Sequence, residues 1–286
     1  MRKARAKEAD EAHRRELNHL TSDQSDLLSA MQKRCASKSR TGHWLAAFAT
    51  AADDFVLSNE EFRTALCIRY AIAPPKLPAK CDGCNAPFTV EHDLRCNVGN
   101  SIGNRHDAIQ DELYDWASAA WPLSALRKEP RNTPSSDDVR NQKRCDVGIR
   151  GLFKREAWTF VDITVINSEC KTYAKVTPEK ALSNAERAKR RHHETELIAA
   201  RRHFSPFALT TDGFLGPAAV TVVRRIASKL SQRKGIAYSV LVARIRAGIS
   251  FALTRAVFDN LFGERRRVWR QPRGFGDGIG LNTFRW

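Results

Sequence analysis

The chain has 286 residues, of which 42% are hydrophobic, and it carries a formal net charge of +16. The hydrophobic fraction argues against a disordered chain, and the length suffices for a buried core. A positive surplus of this size favours a polyanionic partner, because neutralised phosphates release condensed counterions. Since no apolar run is long enough to span a bilayer and the N-terminus lacks a secretory signal, we expect a nucleic-acid partner inside the cell, not a membrane.

The N-terminal part of the chain reads as two helical segments. Residues 1–40 are charged and contain no Phe, Tyr or Trp, which predicts a basic helical lead-in that is partly disordered. Residues 41–80 show the first apolar periodicity. Within them, Ser58 and Glu61 have the spacing of a capping box, which predicts that a helix begins there. The prolines of "APPKLPAK" end that helix.

Residues 81–100 contain the spacing C-x2-C-x7-H-x3-C, formed by Cys81, Cys84, His92 and Cys96. Two close thiolates followed by an imidazole and a third thiolate can close a tetrahedron around Zn²⁺. The alternative is three buried cysteines and a chance histidine, but the clustering favours zinc. Four protein ligands leave no open position, so the predicted site is structural. Gly83 is expected to allow the tight turn between the first two ligands.

Residues 101–216 alternate in periodicity in the order helix, strand, strand, strand, helix, strand, which predicts an α/β layered domain. The first helix has an apolar stripe at intervals of three and four residues, comprising Ile109, Leu113, Trp116 and Ala120. "CDVGIRGLF" and "AWTFVDITVI" are β-rich and separated by a charged turn. Two further helices are expected in residues 217–262, followed by an irregular Arg/Gly/aromatic tail in residues 263–286.

Two aspartates stand in the predicted hairpin. Asp162 lies in the middle of "TFVDITVI", where a buried carboxylate without a partner would be costly. Asp146 begins the preceding strand, and a hairpin could bring it beside Asp162. Two adjacent carboxylates resist joint ionisation unless a cation lies between them, which is the physical case for Mg²⁺. The alternative is that Asp146 pairs with Arg144 or Arg150 and that Asp162 marks a bulge.

Other groups could complete such a site. Glu129 ends the short strand that precedes the hairpin. On the long helix, Lys189 belongs to a series with three- and four-residue spacing, so it is expected near the stripe that faces the sheet. A lysine there could hold an attacking water or a phosphate. The alternative is a basic helix that is solvated all round. The series comprises Leu182, Ala185, Lys189, His192 and Glu196.

Taken in order, these motifs resemble the C-terminal region of reverse-transcriptase polyproteins from site-specific non-LTR retrotransposons. A "WL" and "EF..AL..R" segment precedes the cysteine cluster, Arg105-His106 opens a helix, and Glu129-Pro130 follows. Asp146 and Asp162 then lie in strands, and "A..AK" lies on a helix. In that family a zinc knuckle precedes a restriction-like endonuclease of the PD-(D/E)XK superfamily. The resemblance covers residues 44–212.

The resemblance implies a restriction-endonuclease-like core of α-β-β-β-α-β order that nicks target DNA with Mg²⁺. The free 3′ end then primes reverse transcription, so the implied partners are DNA and the element's RNA, and the implied location is the nucleus. The absence of a polymerase box predicts a truncated element without its own polymerase domain. The alternative is a catalytically decayed, zinc-containing remnant that only binds nucleic acid.

The resemblance also implies roles for particular residues. Asp146 and Asp162 would bind Mg²⁺, Glu129 and Lys189 would join them in catalysis, and Lys189 would be a lysine that has moved from the third strand to the helix. Two positions depart from the family pattern, because Cys145 replaces a proline and Thr164 stands where the superfamily has a strand lysine. The zinc ligands would be Cys81, Cys84, His92 and Cys96, and the Arg-His pair that contacts DNA would be Arg105 and His106.

Overall fold

The structure, a computed structural model, describes residues 41–47, 54–70, 72–96, 98, 100–132, 143–168, 170–173 and 176–262. The predicted lead-in at 1–40 and the predicted tail at 263–286 lie outside these residues.

The described residues form a mixed α/β protein, as predicted. Short 3₁₀ turns at Leu123–Ala125 and Lys171–Tyr173 accompany the main elements. The helices are α1 His43–Ala46, α2 Asn59–Arg69, α3 Val90–Asp93, α4 Ser101–Ala120, α5 Pro178–Ala199, α6 Pro217–Lys234 and α7 Tyr238–Phe262. The strands are β1 Leu126–Lys128, β2 Val147–Arg150, β3 Trp158–Ile166 and β4 His203–Thr210.

The four strands form one sheet in the order β1-β2-β3-β4. The first two pairs are antiparallel, whereas β3 and β4 are parallel. A parallel pair needs a long crossover, and α5 supplies it. The elements from α4 to β4 therefore follow one another as helix, three strands, helix and strand. The register of β3 with β4 runs without interruption from Thr159 to Ile166, so the alternative that Asp162 marks a bulge is wrong.

Helices cover both faces of the sheet. On one face α4, α6 and α7 bury a large apolar core, in which Ile109 and Leu113 of α4 lie against Val161 and Ile163 of β3. The predicted stripe of α4 is thus confirmed, because all four of its residues are buried. On the other face α5 packs through Leu182 and Leu197. The strand residues that α5 covers include Phe160, Phe204 and Ala208.

Local sequence signals place the helix starts. The predicted capping box is present, because the Ser58 side chain accepts from the Glu61 backbone N–H and the Glu61 carboxylate accepts from that of Ser58. Helix α5 begins at Pro178, after Thr177, whose side chain accepts from the Lys180 backbone N–H. Helix α7 is the exception to amphipathic patterning, because it is buried on most sides by α1, α2, α4 and α6.

Among the described helices, none combines the length and the apolar character needed to cross a lipid bilayer.

Candidate metal centres

The four residues of the predicted zinc site come together. Cys81 Sγ lies 3.9 Å from Cys96 Sγ, and Cys84 Sγ lies 3.3 Å from His92 Nε2 and 4.0 Å from Cys96 Sγ. A zinc ion bound to thiolates at about 2.3 Å would place two sulfurs of its tetrahedron about 3.8 Å apart. The observed separations therefore have the size of tetrahedral edges, and the cluster could bind a metal ion such as Zn²⁺.

Short-range hydrogen bonds build this knuckle. The backbone N–H of Asn85 donates to the Cys81 carbonyl at 2.8 Å, and the N–H of Cys81 donates to the Ala86 carbonyl at 2.8 Å. Gly83 lies in the turn between the first two ligands, as predicted, and the left-handed residue that follows this turn is Asn85, with φ of 60°. A side chain at Gly83 would be crowded, because a Cβ there would come within 2.9 Å of the Val98 side chain.

The second pair of ligands comes from α3 and the residues after it. The Thr89 side chain caps α3 by accepting from the backbone N–H of His92 at 3.0 Å. The N–H of Cys96 donates to the His92 carbonyl at 2.8 Å, which holds the third thiol next to the imidazole. Phe88 then packs with Val257 and Leu261 of α7, so the knuckle rests on the last helix.

Arg105 joins the knuckle to the α/β core. Its guanidinium is only 2% exposed, lies 3.5 Å from the carboxylate of Asp93 and donates to the Leu94 carbonyl at 2.9 Å. Ser101 donates to the same Asp93 carboxylate at 2.8 Å. Burial lowers the pKa of Arg105, and Asp93 opposes that change. A guanidinium enclosed in this way does not reach a DNA backbone, which favours a structural role over the predicted DNA contact.

The second candidate metal site lies at the end of the β2–β3 pairing, next to Asp146. The backbone N–H of Asp146 donates to the Val161 carbonyl at 3.0 Å. Beyond that bond the Asp146 carboxylate, instead of a strand carbonyl, accepts from the N–H of Ile163. Gln110 of α4 also donates to the Asp146 carbonyl at 3.0 Å. These contacts hold the Asp146 carboxylate beside the backbone of Asp162. We call the two carboxylates, with Lys189 and His106, the acidic centre.

Asp162 is buried under α5, with 6% of its side chain exposed. Lys189 Nζ lies 2.7 Å from its Oδ2, and His193 Nε2 lies 3.5 Å from its Oδ1. Among the described residues, no donor makes a hydrogen bond of regular geometry to that Oδ2, so Lys189 acts there as a counter-charge. Burial raises the pKa of Asp162, and the nearby Asp146 raises it further, against the opposing effect of Lys189.

His106 belongs to the acidic centre and not to a separate surface. Its Nε2 lies 3.1 Å from Asp146 Oδ2, and its Nδ1 lies 3.4 Å from Asp107 Oδ1. Burial by itself lowers the pKa of His106, but the contacts with Asp146 and Asp107 outweigh that effect and raise it. The alternative partners for Asp146 are engaged elsewhere, because Arg144 lies near Glu129 and Arg150 pairs with Glu156.

Glu129 is not brought to the two aspartates by its side chain. Its backbone N–H donates to the Asp146 carbonyl at 2.8 Å, so the residue is a neighbour of Asp146 across the β1–β2 hairpin. However, its carboxylate is 52% exposed and lies 3.9 Å from Arg144. The main chain is close to the acidic centre, and the carboxylate is directed to the surface.

Three buried residues near Asp162 were not assigned to the site from the sequence: Cys145 and His193, which lie beside Asp162, and Asn132, which contacts His193. Cys145, His193 and Asp162 form a compact group whose donor atoms lie within 4.8 Å of one another. Burial and the neighbouring aspartates raise the pKa of the Cys145 thiol, so the protonated form is favoured. Burial and the cations around it lower the pKa of His193 to about 4.

One sequence signal could have identified His193. The predicted stripe of α5 ran through His192 and Glu196, whereas the buried face runs through Glu186, His193 and Leu197. Both series have helical spacing, but only the second ends on a large apolar residue. Leu197 therefore indicates the rotation of the helix that directs His193 inward.

No protein-family model matches the chain, and no curated protein matches it.

Proposed function

We propose that the chain is a metal-dependent DNA endonuclease with a restriction-endonuclease-like core and a structural zinc knuckle. The observation that carries this proposal is the meeting of Asp146, Asp162 and Lys189 at one point of the sheet. One aspartate immediately precedes β2, the second lies in the middle of β3, and the lysine comes from the helix that crosses to β4. The order helix, three strands, helix, strand supports the same assignment.

The donors of the acidic centre fit Mg²⁺. Two carboxylates are the oxygen ligands that this ion accepts while it keeps several waters. The raised pKa of Asp162 and its buried Oδ2, which lacks a regular hydrogen bond among the described residues, are the features that a bound cation would relieve. Cys145 is left out of the Mg²⁺ ligand set, because a cysteine sulfur is a soft ligand that suits zinc better than magnesium and its thiol donates to the side-chain amide oxygen of Asn132 at 3.3 Å.

Each residue then has a separate task. Asp146 and Asp162 would hold Mg²⁺, which would supply a water of lowered pKa and polarise the scissile phosphate. Lys189 is placed to offset the negative charge that develops on the phosphate. His106 orients the Asp146 carboxylate through their 3.1 Å contact. Glu129 is left out of this set because its carboxylate faces Arg144.

The remaining features agree with DNA as the substrate. The net charge of +16 favours phosphate contacts, which are sensitive to salt and largely independent of sequence. Arg187 and Arg191 are exposed one turn apart on α5, on the side of the helix away from Lys189, and are available for such contacts outside the acidic centre. We further propose that the nicking belongs to a non-LTR retrotransposon acting in the nucleus, where the nick would prime reverse transcription of the element's RNA.

The test is a nicking assay on supercoiled plasmid with Mg²⁺ at low salt. We expect the wild type to convert the plasmid to the open circle and Asp162→Ala to lose more than about 100-fold in rate, since even the loss of an outer-shell partner costs 10–100-fold. Asp111→Ala is the matched control, because Asp111 is an exposed acid on α4 that contacts only the exposed Lys128 among the described residues. Thermal melts establish that all three proteins are folded.

The second candidate is a zinc-containing protein that binds nucleic acid without cutting it. The observation that favours it is that both carboxylates already have protein cations beside them, Lys189 and His106. Folded wild type that retards DNA in a gel, but nicks no faster than Asp162→Ala, would support this candidate and contradict the endonuclease.

A further inference from the structure

A chain of polar contacts reaches Asp162 from the surface. Lys143 Nζ lies 2.7 Å from Glu196 Oε1, and Glu196 Oε2 lies 3.2 Å from Asn132 Nδ2. The same Nδ2 lies 2.9 Å from His193 Nδ1, and His193 Nε2 lies 3.5 Å from Asp162 Oδ1. Asn132 is 1% exposed and His193 is 4% exposed, so water has little access to the inner part of this chain.

The orientation of the Asn132 amide follows from its neighbours. The ionised Glu196 carboxylate can only accept hydrogen bonds, and Lys143 lowers the pKa of Glu196. The NH₂ group of Asn132 must therefore face Glu196. The amide oxygen then faces Cys145, whose thiol donates to it at 3.3 Å. The reversed amide would place its oxygen against the Glu196 carboxylate oxygen, so two acceptors would face each other. Only one orientation of the amide therefore satisfies both Glu196 and Cys145.

This orientation selects the tautomer of His193. The second hydrogen of the Asn132 NH₂ group is directed at His193 Nδ1, which must therefore be the unprotonated nitrogen that accepts it. In a neutral imidazole the proton then resides on Nε2, which faces Asp162. The ring is held in place by stacking on Phe204, with centroids 5.4 Å apart.

We propose that His193 is a positioning residue for Asp162, held as the Nε2–H tautomer by Asn132 and Glu196. The inference rests on the proposed function, in which Asp162 is a metal ligand. The Nε2–H group directs Oδ1 toward the histidine and leaves Oδ2, beside Lys189, for the cation. Hydrogen-bond donors of this kind orient a carboxylate that binds a metal and raise the affinity for the metal.

A competing arrangement uses the same atoms. Cys145, Asp162 and His193 could together bind a soft ion such as Zn²⁺ through thiolate, carboxylate and imidazole. That arrangement would use a ring nitrogen of His193 as ligand, either Nε2, which faces Asp162, or Nδ1, which lies 3.8 Å from Cys145 Sγ. A protonated Nε2 together with a metal-free Nδ1 therefore separates the proposal from this arrangement.

The first measurement determines the tautomer directly. Long-range ¹H–¹⁵N correlation spectra of histidine-labelled protein, with the knuckle loaded with zinc, distinguish Nε2–H from Nδ1–H, and His193→Gln identifies the signal. We expect Nε2–H in the wild type and a change of tautomer in Asn132→Asp, whose carboxylate accepts from Nδ1–H. Asn184→Asp, on the outer side of α5, is the matched control and should leave the His193 signal unchanged. An Nδ1–H signal, or zinc bound at either ring nitrogen of His193, in the wild type would overturn the proposal.

The second measurement is the affinity for Mn²⁺, followed by the paramagnetic resonance of the free ion so that no nicking is required. His193→Phe keeps the ring and its stacking but has no donor, and we expect it to bind Mn²⁺ about 10–100-fold more weakly. His193→Gln places an amide N–H near the position of Nε2 and should remain within a few-fold of the wild type. A purely structural role would not produce this difference between two folded variants.

The outcomes separate the two proposals. If the wild type binds Mn²⁺ and His193→Phe binds it equally well, the positioning role is wrong while the acidic centre stands. If the wild type binds no Mn²⁺ at the acidic centre, both the proposed function and the positioning role fail. Weaker binding in His193→Phe with retention in His193→Gln, together with the Nε2–H tautomer, supports the proposal.

Discussion

The zinc knuckle and the acidic centre are both candidate metal sites, but they balance charge in opposite ways. The knuckle brings three cysteines and one histidine together within sixteen residues, and its donors can surround one ion completely. The acidic centre brings two aspartates from different strands against Lys189 and His106, which already supply positive charge. A metal in the knuckle therefore contributes to folding, whereas the acidic centre can keep its shape without one. The comparison suggests that the knuckle stabilises the folded protein, whereas the two neighbouring carboxylates of the acidic centre destabilise it.

The largest loss of stability is expected from a substitution in the zinc knuckle. Cys81→Ser removes one of the four donors, and we expect the bound zinc to be lost and the melting temperature to fall sharply. Structural zinc in small fingers has an apparent binding free energy of about 10–16 kcal/mol, and much of that becomes folding free energy. Zinc release measured with a chromophoric chelator, together with calorimetry, checks this expectation.

The matched control for the knuckle is Cys67→Ser. Cys67 is a half-buried free thiol on α2, outside the cluster. If the two serine variants lose the same amount of zinc and of stability, the knuckle does not differ from an isolated thiol and the contrast with the acidic centre disappears.

The next largest loss of stability is expected at Arg105, which joins the knuckle to the α/β core. Arg105→Ala removes the guanidinium that pairs with the carboxylate of Asp93, which is 0% exposed. Removing one partner of a buried ion pair costs about 3–5 kcal/mol, so the free energy of unfolding should fall by that amount. Urea unfolding followed by circular dichroism measures it.

Arg95→Ala is the matched control for this link, because it breaks an exposed pair with Glu91 on the same knuckle. Exposed pairs contribute about 0–1 kcal/mol, so this variant should unfold almost like the wild type. Equal losses in the two arginine variants would contradict the structural role that we assign to Arg105.

The smallest change in stability is expected in the acidic centre, where a substitution should raise the free energy of unfolding instead of lowering it. The pKa of Asp162 is raised in the folded protein, so the folded state holds this proton more tightly than the unfolded state. Stability contributed by this group therefore falls as pH rises from the unfolded pKa of 3.8 through the folded pKa. We expect Asp162→Asn to be more stable than the wild type at neutral pH, by on the order of 1 kcal/mol.

The same comparison at acid pH provides the check. The stability difference between Asp162→Asn and the wild type should shrink as pH falls below 4, where the aspartate is protonated in both states. Denaturant titrations at several pH values measure this trend, and Asp111→Asn serves as the exposed control. An Asp162→Asn protein that is less stable than the wild type at neutral pH would show that the acidic centre carries no such cost.

The sequence by itself determined the features that depend on neighbours along the chain. The apolar stripe of α4, the capping box at Ser58 and the mixed α/β class could be read directly, because helical spacing and capping involve residues three or four apart. The zinc ligands could be proposed for the same reason, since their spacing alone limits where the four donors can lie.

The tertiary structure alone decided which side chains meet across elements. Arg105 and His106 are adjacent in the sequence, yet one is enclosed beside Asp93 and the other contacts Asp146. Asn132 meets His193 only because the β1–β2 hairpin and the rotation of α5 place them 2.9 Å apart. Strand register and helix rotation are set by burial of the whole core, and a local pattern that is compatible with two rotations cannot choose between them. The apolar contacts of α5 make that choice, and they place His193 against Asp162.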